Sequence, residues 1–371
     1  MTGVVEPKAN LPALTGIRGL AAWFVVLYHI RLSAAAQLPP ELISALAKGY
    51  LAVDLFFMLS GFVLWLNYGE RLRRDGLAAA PLFLSRRIAR IWPLHLFILG
   101  GAVAFAAVLT LAGRPNPEDF PWHELPLHIL LVQNWGFTPD LSWNDPAWSI
   151  SCELAAYLFF PFLVLAVDWR RLPSAALVGL LLVAALALHG IMTAGGADSL
   201  NYEITRFGLV RALAEFSMGT ILCALCQRWR AAPALPAIGG AAAALLMTSL
   251  WLAGAVHETL AMPLAFAGLL LAVGLTAGHP ANPLGWRPIH YLGEISYATY
   301  LVHFLLYVAF KLFFVDDPAH VPLPLLGLFL LITLLASAAL YHGVERPAQR
   351  LLNRAFDNAA LRLPSASARR T

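Results

Sequence analysis

Long apolar runs dominate this sequence and decide what it can fold into. Ten of them are long enough to cross a bilayer, because a transmembrane helix takes about 20 mainly apolar residues. Charged residues make up 12% of the chain, against roughly 25% in soluble domains, which argues against an ordinary cytosolic enzyme. The sequence predicts an all-α, polytopic integral membrane bundle of about ten transmembrane helices. The runs lie near residues 14–34, 49–68, 91–112, 147–167, 174–194, 207–227, 234–254, 259–278, 291–314 and 323–342.

Arginine and lysine concentrate in alternate gaps between the runs. The gap at 69–90 holds six arginines and the segment after 342 holds six more, whereas the gap at 113–146 holds one arginine and five acidic residues. Because basic loops face the cytoplasm, we predict cytoplasmic termini in a multi-pass protein of the inner, or plasma, membrane, with the lipid bilayer as one partner. The net charge of +4 reflects these loops. The sequence has no stripe of interleaved basic and aromatic residues, so we expect no nucleic-acid partner.

The first run admits a second interpretation. Lys8 and Arg18, an apolar stretch and the small residues 33–36 are similar to a cleavable signal peptide. Arg18 would then lie close to the apolar core, and Arg31 would stand just before the cleavage site. We therefore expect the first span to be retained.

Ionisable side chains occur inside several spans, where they are costly and usually functional. Arg18 and His29 are eleven positions apart, so they share one helix face and lie roughly 16 Å apart along its axis. Asp54 lies within the second run, either as a structural hydrogen-bond partner or paired with a His or an Arg. His303 follows Tyr300 by one helical turn in the ninth run. The two histidines are candidate proton carriers, since imidazole titrates near neutral pH.

Three arginines, Arg86, Arg87 and Arg90, stand at the entry to the third span. Arg87 and Arg90 share a helix face, and guanidinium groups bind phosphate in a bidentate manner. The alternative is an anchor that only touches lipid headgroups.

A polar face opens the fourth span. Ser149, Glu153 and Tyr157 are spaced four residues apart, which places them on one side of a helix, and Trp148 precedes Ser149. A carboxylate at this position can orient an imidazole, take a proton or bind a sugar hydroxyl.

The cysteine pattern does not indicate a metal site. Cys152, Cys223 and Cys226 all lie in apolar stretches, and the single CxxC has no second pair to complete a zinc site. We expect no metal and no permanently bound cofactor.

Taken together, these segments resemble the membrane acyltransferase-3 family over about residues 12–350. The resemblance implies a membrane domain at 1–350 and a cytoplasmic basic tail at 351–371, disordered at its end. It also implies a stand-alone form without the SGNH hydrolase-like domain of many relatives, and a separate extracytoplasmic acyltransferase as one potential partner. The matching elements are Arg18 to His29, Asp54 to Phe62, Arg87 with Arg90, Trp148 to Glu153, Ser296 to His303, and Glu345-Arg346-Pro347.

The resemblance implies a reaction and a role for each candidate residue. An acyl group, acetyl being the commonest in the family, would pass from cytoplasmic acyl-CoA as co-substrate to a hydroxyl of a carbohydrate, a glycolipid or a small acceptor. The implied catalytic residues are His29, as base or acyl carrier, Asp54 or Glu153, which would hold its tautomer, and His303 as second candidate. The residues implied for the acyl-CoA phosphates are Arg18, Arg86, Arg87 and Arg90. Those implied for the acceptor are Trp148, Ser149, Tyr157 and Tyr300.

The sequence departs from the family pattern after Glu153. Leu154 and Ala155 stand where relatives often carry a second acid or a Gln. The acceptor contacts at that point can therefore differ from those of relatives.

A transporter, such as an exporter or flippase of a glycan precursor, is the rival interpretation. It would also combine ten spans with intramembrane charges. Such transporters are built from related halves with paired broken helices, and the sequence shows no repeat of this kind.

Overall fold

The computed structural model describes residues 11–315 and 321–362. Within these ranges the chain forms α-helices joined by short 3₁₀ and π segments and has no strand, which confirms the predicted all-α fold. The α-helices are α1 (Pro12–Ile30), α2 (Pro40–Leu46), α3 (Ala52–Asp75), α4 (Ala80–Leu111), α5 (Leu125–Leu130), α6 (Ala147–Ala166), α7 (Ser174–Ala194), α8 (Ile204–Trp229), α9 (Ala234–Leu252), α10 (Glu258–Thr276), α11 (Arg287–Glu294), α12 (Ser296–Phe314), α13 (Leu323–Leu340) and α14 (Arg346–Arg362).

Nine helical stretches in the described ranges are long and apolar enough to span a membrane. One of them, Pro40–Leu111, contains two long helices, α3 and α4, which a 3₁₀ turn separates. Gly76 ends α3 with a φ of 64°, a conformation that residues with a Cβ rarely adopt. The ten predicted apolar runs therefore correspond to ten long helices: α1, α3, α4, α6 to α10, α12 and α13.

The chain continues beyond α13 as a π turn at Tyr341–Glu345 and the amphipathic helix α14. The segment predicted as a basic tail from residue 351 is helical as far as Arg362. Its end, residues 363–371, lies outside the described residues.

Helix α8 forms the centre of the bundle. In the most apolar stretch of α8, 72% of the residues are buried inside the protein, whereas in that of α9 only 11% are buried. Two glycines allow α3 and α8 to pack backbone against backbone: a Cβ on Gly61 would lie 1.9 Å from Phe216 O, and one on Gly219 would lie 1.9 Å from Met58 O. Small residues at such crossings let membrane helices approach closely, so this contact fixes the core around which the other helices pack.

Helix α1 packs against α3, α11 and α12. The contact with α12 brings residues nearly three hundred positions apart in sequence to the same level of the bundle, including His29 and His303, which are separated by 274 residues. The same helix carries Arg18 near its start, so α1 spans the distance between the candidate arginines and the candidate histidines.

Candidate active site

A cavity of about 150 Å³ lies between α1, α3, α4, α6 and α12. Seven of the twelve predicted site residues line it, and they come from four helices that are far apart in the sequence. These seven are Arg18, Arg87, Arg90, Ser149, Glu153, Tyr157 and Tyr300. The bundle thus brings together most of the residues that the sequence marked as unusual for a membrane span.

The predicted polar face of α6 is confirmed, because all three of its members line this cavity. Glu153 accepts a hydrogen bond from Ser60 Oγ of α3 at 2.9 Å and another from the hydroxyl of Tyr157, one turn further on. Ser149 Oγ contacts the Tyr300 hydroxyl of α12 at 2.7 Å. The carboxylate is therefore held by two hydroxyl donors.

Arg18 is fixed at the contact between α1 and α12. Its Nε donates to Ser296 Oγ at 3.0 Å and its Nη2 donates to Gly293 O at 2.8 Å. Both partners are uncharged, so the hydrogen bonds orient the guanidinium without neutralising it.

The two arginines of α4 have different partners. Arg90 forms an ion pair with the buried Glu345 of the π turn. Arg87 donates from Nη2 to the Tyr68 hydroxyl at 3.0 Å and lies 5.2 Å above that ring, while its buried Nε has no partner. Within the described ranges, no carboxylate forms an ion pair with Arg87 or Arg18. Glu153 lines the same cavity and Glu345 pairs with Arg90, so these groups together leave one net positive charge.

The two candidate histidines contact each other. His29 Nδ1 lies 3.2 Å from His303 Nε2 and 3.0 Å from Val25 O, and His303 Nδ1 lies 3.1 Å from Thr299 O. A carbonyl oxygen only accepts, so in the neutral ring His303 Nδ1 carries the proton and its Nε2 accepts. His29 Nδ1 then faces two acceptors and carries its own proton. The arrangement leaves the lone pair of His29 on Nε2, where a base would use it.

Neither histidine belongs to the cavity lining. His303 is fully buried, and Tyr300 connects the two places, because it lines the cavity while its ring centre lies 6.0 Å from that of His303. The candidate site therefore has two parts, a cationic cavity and a histidine pair one helical turn beyond it.

Asp54 pairs with an arginine, which is one of the alternatives that the sequence left open. Its Oδ1 lies 2.7 Å from Arg211 Nε of α8, and both side chains are buried. Arg211 also donates to Leu200 O. The imidazole of His29 is held by Val25 O and His303, so the carboxylates Asp54 and Glu153 have partners other than this ring.

Two further predicted residues lie outside the cavity. Arg86 pairs with Asp357 of α14 at the protein surface. Trp148 lies beneath the Arg211 guanidinium, 5.2 Å from the ring centre, and packs edge-on against Phe57. Both side chains therefore contact other residues of the protein, and neither is presented to the space of the cavity.

The sequence analysis did not assign Ser60 or Tyr68 to the site. Ser60 donates a hydrogen bond to Glu153, and the Tyr68 hydroxyl accepts one from Arg87. Ser60 lies in the second apolar run and Tyr68 at its end, and a polar residue at such a position was the signal that could have identified them. In the described ranges, no group of three or more His, Cys, Asp or Glu side chains could hold a metal ion.

Comparison with known families gives this arrangement a context. The acyltransferase-3 family model, described as an acyltransferase domain, matches residues 11–342. The chain belongs to the acyltransferase-3 family. This membership confirms the resemblance carried by the sequence elements, and it covers all the helices that build the cavity and the histidine pair.

Individual relatives agree with the family assignment. Acyltransferase MdmB of Streptomyces mycarofaciens is 30% identical over 381 residues, which cover 93% of each chain. O-acetyltransferase OatA of Staphylococcus aureus is 25% identical over 93% of this chain, which spans 58% of that relative's length. Protein 2 in the picA locus of Rhizobium radiobacter is 37% identical over 40% of this chain and 80% of its own length. No solved structure matches.

This member of the acyltransferase-3 family is a multi-pass membrane enzyme that transfers acyl groups. The family assignment decides against the transporter interpretation.

Proposed function

We propose that this enzyme takes an acyl group, with acetyl as the first candidate, from acyl-CoA and transfers it to a hydroxyl of a carbohydrate or other acceptor in the inner membrane. The observation that carries the donor proposal is the group of three arginines that line the cavity from α1 and α4, of which only Arg90 has an ion-pair partner in the described ranges and which outnumber the single carboxylate of the lining, Glu153. Unpaired cations inside a membrane protein are costly, and phosphates of CoA would compensate them through bidentate bonds.

The positions of the arginines support a cytoplasmic donor. Arg87 and Arg90 lie at the end of the arginine-rich gap at 69–90, which the positive-inside rule assigns to the cytoplasm. His29 lies roughly 16 Å further along α1 than Arg18. CoA carries its phosphates at one end of the pantetheine arm and its thioester at the other, so phosphates at the arginines would direct the thioester toward the histidine pair.

The hydrogen bonds of the histidine pair support a base at His29 Nε2. In the proposed step the acceptor oxygen attacks the thioester carbonyl, while Nε2 takes the hydroxyl proton. The new C–O bond forms, the C–S bond breaks, and the imidazolium returns the proton to the departing thiolate of CoA. His303 acts as a positioning residue, because its Nε2 accepts the Nδ1 proton of His29.

The relatives support the acceptor class. One of them is named an O-acetyltransferase, which favours a hydroxyl acceptor and an acetyl group. Hydroxyl groups in the cavity wall, such as Ser149 and Tyr300, can bind a hydroxylated substrate. Glu153 is held ready by Ser60 and Tyr157 to accept a further hydrogen bond.

The experiment that tests the proposal uses the purified chain in lipid nanodiscs with acetyl-CoA and hydroxylated glycan acceptors. Release of free CoA is followed with a thiol reagent, and the acylated product is identified by mass. We expect CoA release that depends on the acceptor. Product formation by the purified chain alone would show that no separate extracytoplasmic acyltransferase is needed, and the absence of acetyl-CoA consumption with every acceptor would refute the proposal.

Arginine variants separate donor binding from the other steps. Arg87→Gln together with Arg90→Gln should raise the KM for acetyl-CoA far more than the KM for the acceptor. Arg71→Gln is the matched control, because Arg71 is exposed and pairs on the surface with Asp75. An unchanged KM for acetyl-CoA in the double variant would show that the arginines do not bind its phosphates.

A further inference from the structure

A second cavity, of about 570 Å³, opens where the chain passes from α2 to α3, from α7 to α8 and from α9 to α10. Its walls come from residues 48–50, 198–199 and 251–258. All three connections lie at the end of the bundle where α1 finishes, whereas Arg18 lies near the start of α1. The charge pattern that places basic loops in the cytoplasm assigns this end to the opposite side of the membrane.

Two aromatic rings line this outer cavity. Lys48 Nζ lies 5.0 Å from the ring centre of Trp251 and 5.8 Å from that of Tyr50. The Tyr50 hydroxyl also donates to Glu258 Oε1 at 2.6 Å. These contacts hold both rings in place before any ligand arrives, which lowers the ordering cost of binding.

The charges of the cavity favour one class of ligand. Glu258 is buried and accepts from Lys48 Nζ at 3.1 Å and from Leu200 N at 3.0 Å, so the ammonium is already neutralised. Asp198, which lines the same space, adds a second carboxylate. One cation against two carboxylates disfavours phosphates and other anions, and it suits a neutral or cationic ligand rich in hydroxyls.

The outer cavity also lies close to the histidine pair. The ring of Tyr50 packs edge-on against that of Tyr28 with 5.8 Å between centres, and the Tyr28 ring packs against that of His29 at 4.9 Å. Only the ring of Tyr28 therefore stands between Tyr50, in the wall of this cavity, and the proposed catalytic base.

We propose that the outer cavity binds a sugar unit of the acceptor, either a neutral sugar or an amino sugar. The inference rests on the proposed function, since it names the substrate class of the same reaction. Aromatic rings pack against the apolar faces of sugar rings, while a few convergent polar groups fix orientation. Asp198, Ser199 and His257 are further polar groups at the wall. The phosphates of the donor and this sugar unit thus bind toward opposite ends of the bundle, with the histidine pair nearer the sugar unit.

Binding of glycans without any acyl donor tests this inference. The purified chain in nanodiscs is applied to an array of neutral, amino and phosphorylated bacterial glycans. We expect binding to neutral or amino glycans in preference to phosphorylated ones, and a loss of about tenfold in affinity for Trp251→Ala. Trp251→Phe, which keeps a ring, should retain most of the binding, and Asp198→Asn should weaken the preference against phosphorylated glycans.

Trp122→Ala is the control, because Trp122 is an exposed tryptophan of the 3₁₀ turn Trp122–Glu124 at this end of the bundle and does not line the outer cavity. Binding to no glycan, or equal binding by Trp251→Ala and the unaltered chain, would overturn the inference even if CoA release stands. Glycan binding that depends on Trp251, in a chain that never consumes acetyl-CoA, would refute the proposed donor while leaving the sugar site intact. A change in the acetyl-CoA KM of Trp251→Ala, with its acceptor KM unaltered, would also count against the site.

Discussion

His29 on α1 and His303 on α12 meet through their ring nitrogens, with His29 Nδ1 at 3.2 Å from His303 Nε2. His303 is oriented by Thr299 O, so the pair forms a chain of hydrogen bonds that ends at His29 Nε2. This order gives the two rings different tasks: His29 presents a free lone pair, and His303 holds the opposite side of that ring.

The first prediction separates the two histidines. His303→Ala should lower kcat roughly five- to tenfold, the scale of one hydrogen bond, with the KM for acetyl-CoA unchanged. His303→Gln supplies a side-chain carbonyl that can accept the Nδ1 proton, and it should recover part of the loss. Steady-state kinetics of both variants provide the measurement. A loss in His303→Ala as large as that in His29→Ala would instead place His303 in the chemical step.

The helices and one polar face were predictable because both depend on local periodicity. Ten apolar runs matched ten long helices, and the spacing of Ser149, Glu153 and Tyr157 placed them on one face of α6 that lines the cavity. These inferences use only the length of an apolar run and the angle between successive residues on a helix.

The pairings between helices were not predictable, because they join residues distant in sequence. Asp54 finds its partner 157 residues away and His29 finds its partner 274 residues away. The spacing of residues along the sequence identifies the ionisable groups in each span, but it does not show which of these groups pair with one another. The outer cavity was not predicted for a related reason, since Lys48 lies between α2 and α3 whereas Trp251 and Glu258 flank the connection from α9 to α10, and no sequence motif joins the two places.

The second prediction concerns the ion pair of Asp54 and Arg211. Arg211→Met leaves the Asp54 carboxylate buried without its cation, and the expected loss of folding free energy is about 3–5 kcal/mol. Adding Asp54→Leu removes that charge and should restore most of the stability. Thermal unfolding in detergent measures the effect. If Asp54→Asn alone abolishes transfer while the protein stays as stable as the unaltered chain, Asp54 takes part in the chemistry.

The third prediction follows from the observed partner of Arg86. Arg86→Gln should change stability by no more than about 1 kcal/mol, as expected for an exposed ion pair, because Arg86 contacts Asp357 at the surface. The KM for acetyl-CoA should stay within twofold of the unaltered value. A rise in this KM as large as that of the Arg87 and Arg90 double variant would contradict the prediction. It would show that Arg86 binds the phosphates of acyl-CoA, as the family resemblance implies.

The fourth prediction concerns pH and the connection that leads into α6. Burial, with a smaller contribution from the charge of Asp119, raises the pKa of Asp145 from 3.8 to about 6. Because this pKa is raised in the folded state, folding takes up a proton at Asp145. The contribution of this proton to the free energy of unfolding is fully present below about pH 4 and is lost as the pH rises through 6.

Asp145→Asn tests that assignment, since an amide cannot ionise. The variant should unfold at a higher temperature than the unaltered chain at pH 7.5, and the difference should shrink toward pH 4. Thermal unfolding curves across this range provide the measurement. Asp140→Asn, in the same connection, is the control. Identical pH profiles for the unaltered chain and Asp145→Asn would contradict the prediction.

The central claim is that His29 Nε2 takes the acceptor proton, and single-turnover transfer by His29→Ala tests it most directly. His189→Ala is the control, because His189 is a membrane histidine that lines neither cavity. Its ring packs against that of His257 at the outer cavity, so transfer is measured with the acceptor saturating. With acetyl-CoA saturating, the account predicts that His29→Ala transfers acetyl groups 10²- to 10⁴-fold more slowly, the usual contribution of a general base, while acetyl-CoA still binds and His189→Ala transfers normally. Transfer by His29→Ala at the rate of the unaltered enzyme would contradict it.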